Sequence, residues 1–156
     1  MTPPPLPEAL TDPMARGVRL LLDSRIPVRL AWTAHDASPR VAPLWHHWDG
    51  ETLAMATFAG AKKLRGIADG DVLAATIDTE QFPYRSLTVR GPVTLEPTDG
   101  LADEYRQAAA RFVGPVAGAQ WCAFLGEPDQ VVIRLRPTFA QYSDMASSPF
   151  VTTSPD

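Results

Sequence analysis

The stretch Tyr84-Arg85-Ser86-Leu87-Thr88-Val89-Arg90-Gly91-Pro92-Val93-Thr94-Leu95 decides the fold. Leu87, Val89, Val93 and Leu95 keep a period of two, which predicts a long strand with these four side chains inward. Gly91-Pro92 interrupts the run without breaking its parity, which predicts a bulge or bend at a barrel corner.

The neighbouring segments read as shorter strands joined by turns. Val72 to Asp78 is one, and Glu51 to Phe58 another, ended by Gly60. Between them Lys63, Leu64, Ile67 and Ala68 form the apolar face of a short helix that stops at Gly70. Arg40 to Trp48 predicts a strand with Val41, Pro43, Trp45 and His47 on one face and Ala42, Leu44, His46 and Trp48 on the other; Asp49-Gly50 then signals a hairpin. Ile26 to Thr33 precedes it across the turn chemistry of Asp36-Ala37-Ser38-Pro39. Asp12-Pro13 reads as a cap and first helical residue, followed by Met14, Val18, Leu21 and Leu22 at helical spacing, so a helix is expected over Pro13 to Ser24. Downstream, Thr98 is expected to cap a helix carrying Leu101, Tyr105, Ala108 and Phe112, which ends at Gly114-Pro115. A helical piece follows around Gln120 to Leu125. Gln130 to Arg136 is the sixth strand, with Thr138 to Asp144 able to extend it past Pro137.

Six short strands, with helices too few to cover a parallel sheet, predict a mainly β fold: a six-stranded antiparallel barrel with flanking helices. Side chains fill a barrel of this size, so a ligand is expected outside it or between subunits. The expected organisation is a flexible leader over 1–12, the barrel domain over 13–145 and a polar tail over 146–156.

The chain has 156 residues, 45% hydrophobic and 21% charged, which suits one domain. Fourteen Lys plus Arg against eighteen Asp plus Glu give a net charge of -4, which disfavours a nucleic-acid partner. No apolar run approaches the roughly 18 to 20 residues of a membrane span. The opening Met1-Thr2-Pro3-Pro4-Pro5 lacks the features of a secretory signal, and Cys122 is the one cysteine, so a reducing cytoplasm is the expected compartment.

The chemistry concentrates in Met55-Ala56-Thr57-Phe58-Ala59-Gly60-Ala61-Lys62-Lys63-Leu64-Arg65. A strand-end hydroxyl, a glycine turn, two ammonium groups and a guanidinium at a helix start form the set that phosphate binding requires. Twelve of the fourteen cations are Arg, so the adjacent Lys62 and Lys63 are the only lysines. An ordinary solvated helix start remains the competing reading. His46 and His47 point to opposite faces of a strand and cannot share a metal ion; one is expected in the core or at a subunit contact, the other beside Trp45 or Trp48 at a site. Cys122, next to Trp121, reads as a buried thiol. No Walker loop, G-x-G-x-x-G or G-x-S-x-G is present.

The order Arg40-Val41-Ala42-Pro43-Leu44-Trp45, Trp48-Asp49-Gly50, Ala56-Thr57, Lys63-x-Arg65-x-Ile67, Asp78 and Leu87-x-Val89-x-Gly91 resembles the pyridoxamine 5′-phosphate oxidase-like superfamily of split β-barrel flavin-binding proteins. It is most similar to the branch with FMN-dependent and deazaflavin F420-dependent reductases. The resemblance implies a cofactor across a homodimer interface and a small-molecule substrate. It also implies Arg40, Val41, Pro43 and Trp45 beside the flavin, Ala56 and Thr57 at its ribityl chain, Lys62, Lys63 and Arg65 near its phosphate, and Ser86 approaching the ring. His46, His47 and Trp48 are candidates for the substrate pocket. Gly66 departs from the asparagine common in that branch, and Val131 to Pro137 lacks the histidine and arginine pattern that binds pyridoxal phosphate. The expected function is an FMN-dependent oxidoreductase. F420 dependence is the near alternative, and non-catalytic storage or sensing of a flavin or haem, or an interaction module without cofactor, are the alternatives of other classes.

Overall fold

A computed structural model describes residues 4–12 and 15–147. The organising element is β6 (Arg85–Thr98), fourteen residues that belong to two sheets at once. Its first half pairs with β5 (Val72–Asp78) and β8 (Phe139–Asp144), and its second half with β7 (Gln130–Leu135). The strands run in the order β2 (Pro39–Leu44), β1 (Val28–Thr33), β5, β6, β7, β4 (Leu53–Phe58), β3 (His47–Trp48), every pair antiparallel, with β8 also on β6. This is the split antiparallel barrel with flanking helices that the sequence predicts, built from eight strands rather than six.

Gly91-Pro92 is the corner. A Cβ on Gly91 would collide with the Arg136 carbonyl oxygen, so only glycine lets the chains approach this closely. Arg136 N donates to Pro92 O at 3.0 Å, and Thr138 N to Arg90 O at 2.8 Å. Val93 faces Leu135 while Arg90 faces Phe139, so residues 91–92 oppose 136–138. That is a one-residue bulge, and beyond it the chain continues along β6 past Pro137, as expected. Leu87, Val89 and Val93 point into a core completed by Val28, Leu30, Leu53, Met55, Ile133 and Leu135.

Four local expectations are corrected. Arg40 to Trp48 is not one strand: β2 ends at Leu44, pairing with β1, and β3 starts at His47, pairing with β4. Trp45 and His46 cross between the sheets, so the alternation of faces does not carry through to Trp48. The lysine helix is a single 3₁₀ turn, Lys62–Gly66, and Ile67 is already extended. Thr98 does not cap a helix; it ends β6, and α3 (Asp103–Val113) begins beyond Ala102. The last helix, α4 (Pro115–Leu125), starts five residues earlier than expected, because Gly114-Pro115 both ends α3 and opens α4. Gly118 permits the tight α3–α4 contact, since a Cβ there would lie 2.7 Å from the Ala109 carbonyl carbon.

α2 (Arg16–Leu22) lays Val18, Leu21 and Leu22 on the core. The expected start of this helix includes Pro13 and Met14, outside the described residues, as are 1–3 and 148–156 of the leader and tail. Within the leader, α1 (Glu8–Thr11) is one helical turn, and Leu10 packs against the core. Among the described residues no helix is long and apolar enough to cross a membrane.

Candidate cofactor-binding cleft

The β1–β2 hairpin sets Trp32 directly across from Arg40, with Ala42 next on the same face. The 3₁₀ turn following β4 packs against that end of the hairpin. Between them opens a cleft of about 560 Å³ whose wall includes Arg40, Lys62, Lys63 and Arg65 together with Trp32 and Asp36. Four cations therefore converge on one space, and among the described residues Asp36 is the one carboxylate lining it. Arg40 pairs with Asp36 at 3.3 Å, an exposed contact. Among the described residues no carboxylate pairs with Lys62, Lys63 or Arg65.

Thr57, the penultimate residue of β4, is buried behind the lysine turn, and its Oγ1 accepts a hydrogen bond from Lys63 Nζ at 3.1 Å. Burial pushes the Lys63 ammonium below the ordinary lysine range. A partly desolvated cation with a neutral hydroxyl for its partner has unused capacity for an anion. The expected helix dipole contributes little here, because a five-residue 3₁₀ turn aligns few peptide dipoles. The side-chain charges carry the anion affinity.

Gly66, a departure in the sequence pattern, has a local reason. A Cβ there would come within 3.1 Å of Trp32 Nε1, so glycine lets the lysine turn close onto the indole that walls the cleft.

The structure brings together Arg40, Thr57, Lys62, Lys63 and Arg65 and separates the other expected residues. Val41 and Pro43 are exposed on the opposite face of β2. Trp45 lies under α3, its ring 5.4 Å from Phe112 and 5.6 Å from Tyr105, rather than beside the cleft. Ala56 is buried with Ala54, Ala102 and Val132. Ser86 is three strands away from β2 across the sheet, paired with Asp78 and Ser143. Of the histidines, His46 is fully buried, its Nε2 3.0 Å from Leu22 O, and has no surface to offer a substrate. His47 and Trp48 are half-buried on β3, at the far end of the strand order from β2. Sequence reading missed Trp32, Asp36 and Gly66 as cleft residues. The signal was the turn at residues 36–39, which puts Trp32 opposite Arg40 once the hairpin register is drawn.

The sequence profile described as pyridoxamine 5′-phosphate oxidase matches residues 15–142. No curated protein sequence matches the chain. A solved structure described as an F420 reductase is 31% identical, with a TM-score of 0.62, covering 78% of this chain and 93% of its own. A conserved hypothetical protein from Mycobacterium tuberculosis is 13% identical with a TM-score of 0.70, covering 98% of each chain. The heme storage protein from Vibrio cholerae is 15% identical with a TM-score of 0.58, covering 83% of this chain and 92% of its own. The last two likenesses concern the fold. With its barrel, its lysine turn and a profile match across most of its length, the chain belongs to the pyridoxamine 5′-phosphate oxidase family.

Proposed function

We propose that this protein is an oxidoreductase that holds the phosphate-bearing tail of a flavin-type cofactor in the cationic cleft, and that deazaflavin F420 is that cofactor, ahead of FMN. The observation that carries the reading is Lys63: half-buried, fixed by Thr57, without a carboxylate partner among the described residues, and facing a space shared with Lys62, Arg65 and Arg40. The 31% identity to the structure described as an F420 reductase favours the deazaflavin over FMN.

The bound cofactor would supply a ring atom that accepts or donates hydride to a small organic molecule. The chain's own part is to bind and orient. Lys63, Lys62 and Arg65 neutralise the tail, Thr57 sets the Lys63 ammonium, and Trp32 closes one wall against water.

The reading includes a homodimer. The outer face of the β2-β1-β5-β6 sheet presents the small side chains Ala31, Ala74, Thr76, Ser86 and Thr88 beside Arg90 and the Arg29–Asp78 ion pair, flanked by exposed Val41 and Val72. Small side chains around one internally paired Arg29–Asp78 bridge let a second copy pack closely on this face.

Anaerobic fluorescence titration with F420 and with FMN tests the proposal. Saturable F420 binding, weakened about tenfold or more by Lys63→Ala, and consumption of reduced F420 by an added acceptor support it. Binding of neither cofactor overturns it. A tightly held cofactor or haem that stays inert to donors and acceptors moves the protein to the storage class.

A further inference from the structure

The chain has twelve arginines and two lysines, and both lysines stand in the wall of one cleft. Any chemistry specific for a lysine amine therefore falls on this site. The two amines differ: Lys62 is exposed, whereas Lys63 is half-buried and held 3.1 Å from Thr57 Oγ1. Among the described residues neither has a carboxylate to hold its proton in an ion pair. Lys62, Arg65 and Arg40 surround the same space with donors suited to phosphoryl oxygens.

We infer that Lys63 is an acylation site for acyl phosphates, which dock their phosphoryl group on Lys62, Arg65 and Arg40 and present the acyl carbon to Lys63 Nζ. The Lys63 ammonium first loses one proton to water, a step eased by its burial. The Nζ lone pair attacks the acyl carbon. The new C–N bond forms as the bond from that carbon to the bridging phosphate oxygen breaks, and inorganic phosphate leaves with the electron pair and the remaining excess amine proton. No atom changes its oxidation state. The product amide is neutral and occupies the floor of the cleft, so acylation and a bound phosphate tail exclude each other.

The acylation stands on the cleft and the burial of Lys63 without any cofactor, and its effect on cofactor loading rests on the proposed function. The test incubates the full chain with acetyl phosphate and maps the added acetyl mass by peptide. Lys63 is expected to be labelled several-fold faster than Lys62, and inorganic pyrophosphate to slow that labelling several-fold. Lys62→Arg keeps the label on Lys63, and Lys63→Arg removes it. Equal or faster labelling of Lys62, or labelling of Lys63 indifferent to pyrophosphate, overturns the inference. F420 titration of the acetylated protein reads the second part. Preferential labelling with no cofactor binding by the unmodified protein leaves the acylation standing and removes the proposed function, and cofactor binding without preferential labelling does the reverse.

Discussion

Lys63 Nζ donates to Thr57 Oγ1 at 3.1 Å, joining the lysine turn that walls the cleft to the end of β4. The two residues are six apart in sequence, and the turn through Gly60 folds the chain back so that the ammonium meets the hydroxyl. Thr57→Val keeps the shape of the buried side chain and removes the acceptor. The expected result is an affinity for a phosphate-bearing cofactor about tenfold weaker, with stability changed by less than ~1 kcal/mol. Cofactor titration beside denaturant unfolding separates the two effects, and unchanged affinity would show that Thr57 does not position Lys63.

Gly91→Ala tests the barrel corner. The added methyl has no room against the Arg136 carbonyl, so β6 must unbend or the β7–β8 bulge must open. A loss of about 3 kcal/mol or more is expected in urea unfolding, the size associated with overpacking against backbone. Gly60→Ala, where a Cβ meets nothing within 4 Å, is the matched control.

His46 supplies a pH dependence of stability. Burial is the main reason its pKa falls from 6.5 to about 4, and the charges of Arg111 and His47 push the same way, against the hydrogen bond to Leu22 O. Arg111 also donates to the carbonyls of His46 and Ser24, which fixes the guanidinium beside the ring. The folded chain binds fewer protons than the unfolded chain between these two values. His46 therefore leaves stability intact above pH 6.5 and withdraws it as pH falls from 6.5 toward 4, by a total on the order of 3 kcal/mol. Urea midpoints across that range should drop less steeply in His46→Phe than in the native chain; parallel profiles would exclude His46 as the source.

The outer sheet face gives a test of assembly. Thr76 and Thr88 sit side by side there with their hydroxyls 3.0 Å apart. Thr76→Arg places a second, unpaired cation directly beside Arg29 in the middle of the proposed contact while keeping the strand. Light scattering is expected to give a dimer mass for the native chain and a monomer mass for the variant, with unchanged circular dichroism. A monomeric native chain at micromolar concentration removes the dimer from the proposed function.

Strand content, the corner at Gly91-Pro92 and the grouping of Lys62, Lys63, Arg65 and Thr57 were legible in the sequence, because each depends on residues close together along the chain. Side-chain parity locates the inward face of β6, and a Gly-Pro pair in an otherwise regular run has few uses besides a bend. The break at Trp45–His46 was not legible. Both residues fit a continuing strand, and only the switch from pairing with β1 to pairing with β4 takes them out of it.

By itself the sequence determined the fold class, the one position where β6 could change sheets, and the place where the only two ammonium side chains would stand. These are consequences of period, of backbone freedom and of composition, all local properties. Tertiary structure decided which cations share a space, that Trp32 and Gly66 form its wall, and that His46 belongs to the core while Val41 and Pro43 face away from Arg40. Those relations depend on strand register and on contacts between segments far apart in the chain, where a shift of one residue exchanges the two faces of a strand.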